Sequence, residues 1–260
     1  MRTKICNTGF RVFSKELKMG ISIKSFNDLD DTVNNRGFVH PLSEISLAFI
    51  EFAKNAPGSA LDIGAATGVA TIPLLENGIK TIAFDLEKQH LDILYNSTPD
   101  PYKKNLHTMV GHYPMDINLE KKSVGAVLIS QVLGFLSGDE IREGFKKLNV
   151  CMNHGAKVFI INYTPYMSIT ASFVPVYEKR RRTKEAWPGL VQNISKYCTD
   201  KELLHNLPNT LNLLDPMILT RELVNAGFSI ENSYFLGGMD VPEKFRLDGR
   251  EWVGAIASKI

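Results

Sequence analysis

The groups best placed by type and spacing to do chemistry lie between residues 61 and 85. Leu61-Asp62-Ile63-Gly64-Ala65-Ala66-Thr67-Gly68 carries a short apolar run into an aspartate and then a turn of small residues. Val69-Ala70-Thr71-Ile72-Pro73-Leu74-Leu75 follows and can open a helix. A strand, a tight turn and a helix N-terminus bring backbone N–H groups close to a ligand and suit a carboxylate or phosphate. A P-loop is excluded, because no Gly-Lys-Ser/Thr closes the turn. The dinucleotide fingerprint would need glycines at 64, 66 and 69, where this chain has Gly64, Ala66 and Val69. Valine at the third position opposes the close helix–strand packing which that fingerprint requires.

Further candidates lie outside this segment. His40, in Arg36-Gly37-Phe38-Val39-His40-Pro41, can act as a base near neutral pH, or can simply cap the helix that follows. Asn162, Tyr163 and Tyr166 leave a strand at its C-terminal end, where open α/β sheets bind ligands; a tyrosine there can equally be packing. Glu178-Lys179-Arg180-Arg181-Arg182-Thr183-Lys184, followed by Trp187, reads either as a solvated helix face or as a dock for an anionic molecule or a nucleic acid. Zinc-ligand spacing is absent, and no metal site is expected.

The elements that must position these groups follow from periodicity. Nearly continuous apolar runs at 60–63, 80–85, 124–129 and 157–161, with a weaker one at 106–110, fit strands buried on both faces. Between them, 41–53 reads as an amphipathic helix. Ser137-Gly138-Asp139-Glu140 has capping-box spacing and opens a helix with Ile141, Phe145, Leu148 and Met152 on one face, ended at Gly155. Alternating strands and helices predict a doubly wound, mostly parallel α/β sheet. The rhythm breaks after Tyr166 for roughly fifty residues with no clear strand. A helix at 216–226 stopped by Gly227 and strands at 228–236 and 251–259 then bring the sheet to seven strands.

With 260 residues, 44% hydrophobic and 22% charged, the chain can bury a sizeable core, and disordered and fibrous classes are excluded. A net charge of +2 carries no global nucleic-acid signal. Cys6, Cys151 and Cys198 are scattered and odd in number, as expected in a reducing compartment, with Cys151 a core residue on a helix. No run reaches the roughly 18 apolar residues of a membrane helix. The basic N-terminus lacks an apolar h-region, so the expectation is a cytoplasmic protein without membrane contact.

The spacing Asp62-x-Gly64-x-Ala66-x-Gly68 resembles the first motif of class I S-adenosylmethionine-dependent methyltransferases, with Ala66 where a glycine is common. The likeness spans about residues 60–163. It implies a Rossmann-like sheet of seven strands, with an N-terminal helical segment or lid over 1–57 and the methyltransferase domain over 58–260. Within that domain, about 166–214 would form a cap insertion after the fifth strand. It also implies roles for particular residues. Gly64, Ala65, Ala66 and Gly68 would turn under the methionyl part of S-adenosyl-L-methionine, and Asp62 would hold its ammonium group. Asp85 would accept the ribose hydroxyls, Leu86 would pack on adenine, and Asp116 would meet the adenine amino group, although His112 stands where an aspartate is common. Ser130, a further cofactor contact, and Gln131 would line the place of methyl transfer, with Gln131 either touching substrate or acting as a supporting amide. His40, Gln131 and Tyr163 are the catalytic candidates. The resemblance implies in-line methyl transfer to a small-molecule acceptor, an anionic one included. Alternatives are a protein or RNA methyltransferase using the basic run to dock, and a protein that binds the cofactor without turnover.

Overall fold

The computed structural model describes residues 30–32, 37–238 and 241–260. Arg36, Cys6 and the basic leader lie outside the described residues. Seven strands form the central sheet: β1 (Ser59–Ile63), β2 (Thr81–Asp85), β3 (Leu106–Val110), β4 (Val124–Ser130), β5 (Met152–Tyr163), β6 (Phe228–Leu236) and β7 (Trp252–Lys259). Their order is β6-β7-β5-β4-β1-β2-β3. The β1–β2, β2–β3, β1–β4 and β4–β5 pairs are parallel, while β7 runs antiparallel to both β5 and β6. This is the mostly parallel, doubly wound α/β sheet that the apolar runs predict.

The nearly continuous apolar runs at 124–129 in β4 and 158–161 in β5 have a direct cause. Ala126 and Leu128 pack into the core on one face of the sheet, with Phe49, Phe159 and Phe173. Val127 and Ile129 pack into the core on the other face, with Phe145, Ile160 and Leu219. Successive side chains point to opposite faces, so a strand covered on both sides has no polar positions to spare.

Helix α1 (Glu44–Ala53) begins three residues later than the pattern suggests, because Ser43 is its N-cap and accepts from the Ser46 N–H at 3.2 Å. His40 is therefore not the cap. Helices α2 (Thr71–Glu76) and α3 (Lys88–Ser97) follow β1 and β2. Helix α4 (Gly138–Cys151) carries the expected capping box, with both Ser137–Glu140 hydrogen bonds made. It stops at Cys151, buried as its last residue, and Met152 begins β5 directly. Gly155 is thus not a helix stop. The pairing jumps from Val124–Met152 to Ala126–Lys157, so β5 carries extra residues there, and Gly155 absorbs the bulge at φ +75°.

The segment between β5 and β6 holds a 3-10 turn (Ser168–Phe173), helix α5 (Val174–Arg182), a two-stranded ribbon of Leu190–Val191 with Leu211–Asn212, and helix α6 (Pro216–Asn225). The ribbon has two residues per strand, too short to leave an alternating pattern. Among the described residues, no helix is long and apolar enough to cross a membrane.

Candidate active site

The C-terminal ends of β1, β2, β4 and β5 open into a cavity of about 620 Å³, joined at Gly64, Ala66, Ser130 and Gln131 by a recess of about 60 Å³. Its floor is the turn after β1. Gly64 and Gly68 sit at φ +76° and +96°, which glycine adopts without strain. A Cβ on Gly64 would lie 2.3 Å from Val132 Cγ2, and one on Gly68 would lie 2.3 Å from Leu94 Cδ1. The Gly64 and Ala65 N–H groups donate to the Phe84 carbonyl, which ties the turn to β2. Ala66 takes φ +45°, unusual for an alanine, and its N–H donates to Asp85 Oδ2 at 2.9 Å.

Asp85, at the end of β2, is buried and lines the cavity. Its other oxygen accepts from the Glu87 N–H at 2.8 Å and lies 3.0 Å from His90 Nδ1. His90, itself buried, comes from the first turn of α3 and also faces the cavity. Sequence reasoning missed it; a histidine five residues after a strand-end aspartate carries no motif. Leu86 is 44% exposed on the same wall.

Asp62 opens onto the smaller recess, not the main cavity, and accepts from Thr71 Oγ1 at 2.8 Å. Burial pushes its carboxyl up to about 6; the Thr71 hydrogen bond opposes that shift and the nearby Asp85 charge adds to it. The recess is thus a small space beside a buried carboxyl, a setting that a cation would favour.

Gly111, His112 and Tyr113 form the wall after β3. Asp116 does not line it. Its carboxylate accepts from the His112 N–H at 2.8 Å and caps the turn from outside, exposed to solvent.

At the end of β4, Ser130 and Gln131 line both spaces. Gln131 sits at φ +57° with its N–H donating to the Ile161 carbonyl at 2.8 Å. It is 6% exposed, yet neither its Nε2 nor its Oε1 has a partner. Unpaired buried amide atoms are costly, and a left-handed glutamine adds strain.

His40 and Tyr163, 123 residues apart, form one pair, with His40 Nε2 2.6 Å from the Tyr163 hydroxyl. Burial, together with the positive charge of Lys244, pushes His40 down to about 3, and burial pushes the Tyr163 phenol well above its usual value. Both partners are therefore neutral at physiological pH. Trp252, opposite Tyr163 in the β5–β7 register, packs edge-on to His40 at 5.1 Å. Tyr163 faces the main cavity and His40 the recess.

The roof joins two distant segments. The short pair Asp30–Asp31 with Phe38–Val39 places Gly37 so that its N–H donates to the Asn206 carbonyl at 2.7 Å. Phe38, Phe135, Leu136, Leu207 and Pro208 give this part of the cavity an apolar lining, with His205 exposed beside them.

The basic run lies elsewhere, since none of residues 174–190 lines the cavity. Lys179, Arg180, Arg181 and Arg182 form the last turn of α5, where cations complement the helix dipole. Arg180 donates to the Leu190 carbonyl at 2.7 Å, and Arg181 pairs with Glu178 at 2.9 Å. Trp187 is held between the guanidinium groups of Arg142 and Arg221, each 5.3 Å from its ring, and both arginines bind the buried Glu222. Its ring also packs against Gly138, where a Cβ would lie 2.0 Å away.

No family model and no curated protein matches the chain in sequence. Solved structures do match it in shape. One is an S-adenosylmethionine-dependent methyltransferase from Methanosarcina mazei, with TM-score 0.62 and 14% identity over 85% of this chain and 99% of that one. Another is the geranyl diphosphate C-methyltransferase of Streptomyces coelicolor, solved with Mg2+, geranyl diphosphate and S-adenosyl-L-homocysteine, with TM-score 0.56 and 11% identity over 83% and 79%. A third is the glycopeptide N-methyltransferase MtfA bound to S-adenosylmethionine, with TM-score 0.53 and 16% identity over 83% and 87%. The sheet order with its antiparallel seventh strand and the glycine turn after β1 agree with these likenesses: the chain has the fold of the class I S-adenosylmethionine-dependent methyltransferases.

Proposed function

We propose that this protein is an S-adenosylmethionine-dependent methyltransferase that acts on a small-molecule acceptor. The observation that carries the reading is the meeting, in one cleft at the strand ends, of the Gly64 turn, the Asp85 carboxylate bonded to it, and the unpartnered Gln131 amide. These residues fit the cofactor. The turn lines both spaces with Gly64 and Ala66, and Asp62 offers a carboxylate to an ammonium group. Asp85 would hold the ribose hydroxyls and Leu86 would cover one adenine face. With Asp116 turned outward, the adenine edge falls to the wall of Gly111, His112 and Tyr113.

When bound, the cofactor supplies a methyl group activated on a sulfonium, so the chain's own task is alignment and exclusion of water. The roof formed by Phe38, Leu207 and Pro208 excludes water, while Ser130, Gln131 and Tyr163 orient the acceptor beside β4 and β5.

Incubation with methyl-labelled S-adenosylmethionine and cell extract tests the proposal. Label in the metabolite fraction supports it. Label in protein or RNA alone contradicts the small-molecule assignment, and label in no fraction favours a non-catalytic binder.

A further inference from the structure

Resting on the methyltransferase reading, we propose that Asp85 takes only one of the two ribose hydroxyls directly, because His90 closes one of its carboxylate oxygens to the ligand. A carboxylate only accepts hydrogen bonds, with about two lone-pair sites on each oxygen. Three donors from the protein already occupy Asp85. Its Oδ1 accepts from the Glu87 N–H at 2.8 Å and from His90 Nδ1 at 3.0 Å, and its Oδ2 accepts from the Ala66 N–H at 2.9 Å. Oδ1 is therefore full, and Oδ2 keeps one place. That place, on the oxygen tied to the cavity-lining Ala66, takes the hydroxyl.

The chain builds this arrangement locally. Glu87 is the N-cap of α3 and His90 stands in its first turn, and both donate back to the end of the strand they follow. Because the carboxylate can only accept, its bond to His90 fixes a proton on Nδ1. Both side chains are buried, and both residues line the cavity. A second hydroxyl reaches Oδ1 only by displacing the imidazole. That exchange leaves a buried N–H unpaired in return for one bond of the same kind, so it gains nothing. His90 is thus a positioning residue: it acts on the ligand through Asp85, by setting how many lone pairs the ribose meets.

The test is calorimetry on the full chain with S-adenosylhomocysteine and its 2′-deoxy and 3′-deoxy forms, each lacking one ribose hydroxyl. S-adenosylhomocysteine comes first, because its failure to bind overturns the methyltransferase reading itself. Across wild type and Asp85→Asn, the double cycle is expected to couple one hydroxyl to the carboxylate by about tenfold, the worth of one hydrogen bond to a charged group. The other hydroxyl is expected to couple by less than about twofold. His90→Phe keeps a ring but returns a lone pair to Oδ1, so loss of the second hydroxyl should then cost at least about threefold more than in wild type. His90→Asn, whose amide Nδ2 can stand in for Nδ1, should restore the wild-type pattern, which a purely structural role would not require. Given binding of S-adenosylhomocysteine, coupling of both hydroxyls or of neither overturns the one-hydroxyl contact. A pattern unchanged in His90→Phe, or lost in His90→Asn, overturns the role of His90.

Discussion

Replacing Asp62 by asparagine separates the cost of a buried carboxyl from its use. Asparagine keeps the shape and, through its carbonyl, can still accept from Thr71 Oγ1, which bonds Asp62 at 2.8 Å. It removes the titration. Folding raises the carboxyl from 3.8 to about 6, so the folded state holds the proton more tightly than the unfolded state. Stability from this group is therefore fully present below the unfolded value, falls as pH rises through that window, and is flat above it. At 1.36 kcal/mol per pH unit the loss amounts to about 3 kcal/mol, an upper bound for a single group. Urea unfolding of wild type and Asp62→Asn across the acid-to-neutral range should show the variant gaining about 2 kcal/mol on wild type on passing from about pH 4 to neutral. Curves that stay parallel would refute the reasoning. The same carboxylate is proposed to hold the cofactor's ammonium, so the stabilised variant should bind S-adenosylhomocysteine more than tenfold more weakly at pH 8. Wild-type affinity should also weaken below about pH 6. Tight binding by Asp62→Asn would remove the ammonium role.

Two other substitutions probe the turn and the basic helix end. Gly64→Ala forces a left-handed alanine, at about 1–2 kcal/mol, against Val132 Cγ2 2.3 Å away. It should lower S-adenosylhomocysteine affinity more than tenfold by calorimetry, and unchanged affinity would show that the turn does not cradle the ligand. The triple change Lys179→Ala, Arg182→Ala and Lys184→Ala removes cations that do not line the cavity. Methyl transfer and S-adenosylhomocysteine affinity should hold within a factor of two, and a tenfold loss of transfer would restore the run as a substrate dock.

The sheet was legible in the sequence because strands covered on both faces leave nearly continuous apolar runs, such as 124–129, of a length that fits a buried parallel strand. The Gly64 turn and Asp85 were legible because backbone sterics restrict which residues can stand there, and the two meet through the Ala66 N–H. Ala66 shows the limit of such patterns, since an alanine occupies a left-handed position. What could not be read was side-chain pairing between distant segments. His40 reads as a helix cap until Ser43 takes that place and the imidazole turns to Tyr163. Trp187 beside a basic run suggested stacking on a ligand, but its partners are Arg142 and Arg221, from two helices elsewhere in the chain. Asp116 has the expected type near the expected place, yet one local hydrogen bond to His112 turns it outward. His90 supports Asp85 through a burial that no spacing rule announces.

The central claim, that this cleft holds the methyl donor, is tested most directly by calorimetric titration of the wild-type chain with S-adenosylhomocysteine and, separately, with NADH. The account predicts micromolar binding of S-adenosylhomocysteine, weakened more than tenfold by Asp85→Asn, and no binding of NADH. Binding of NADH with no heat from S-adenosylhomocysteine would contradict it.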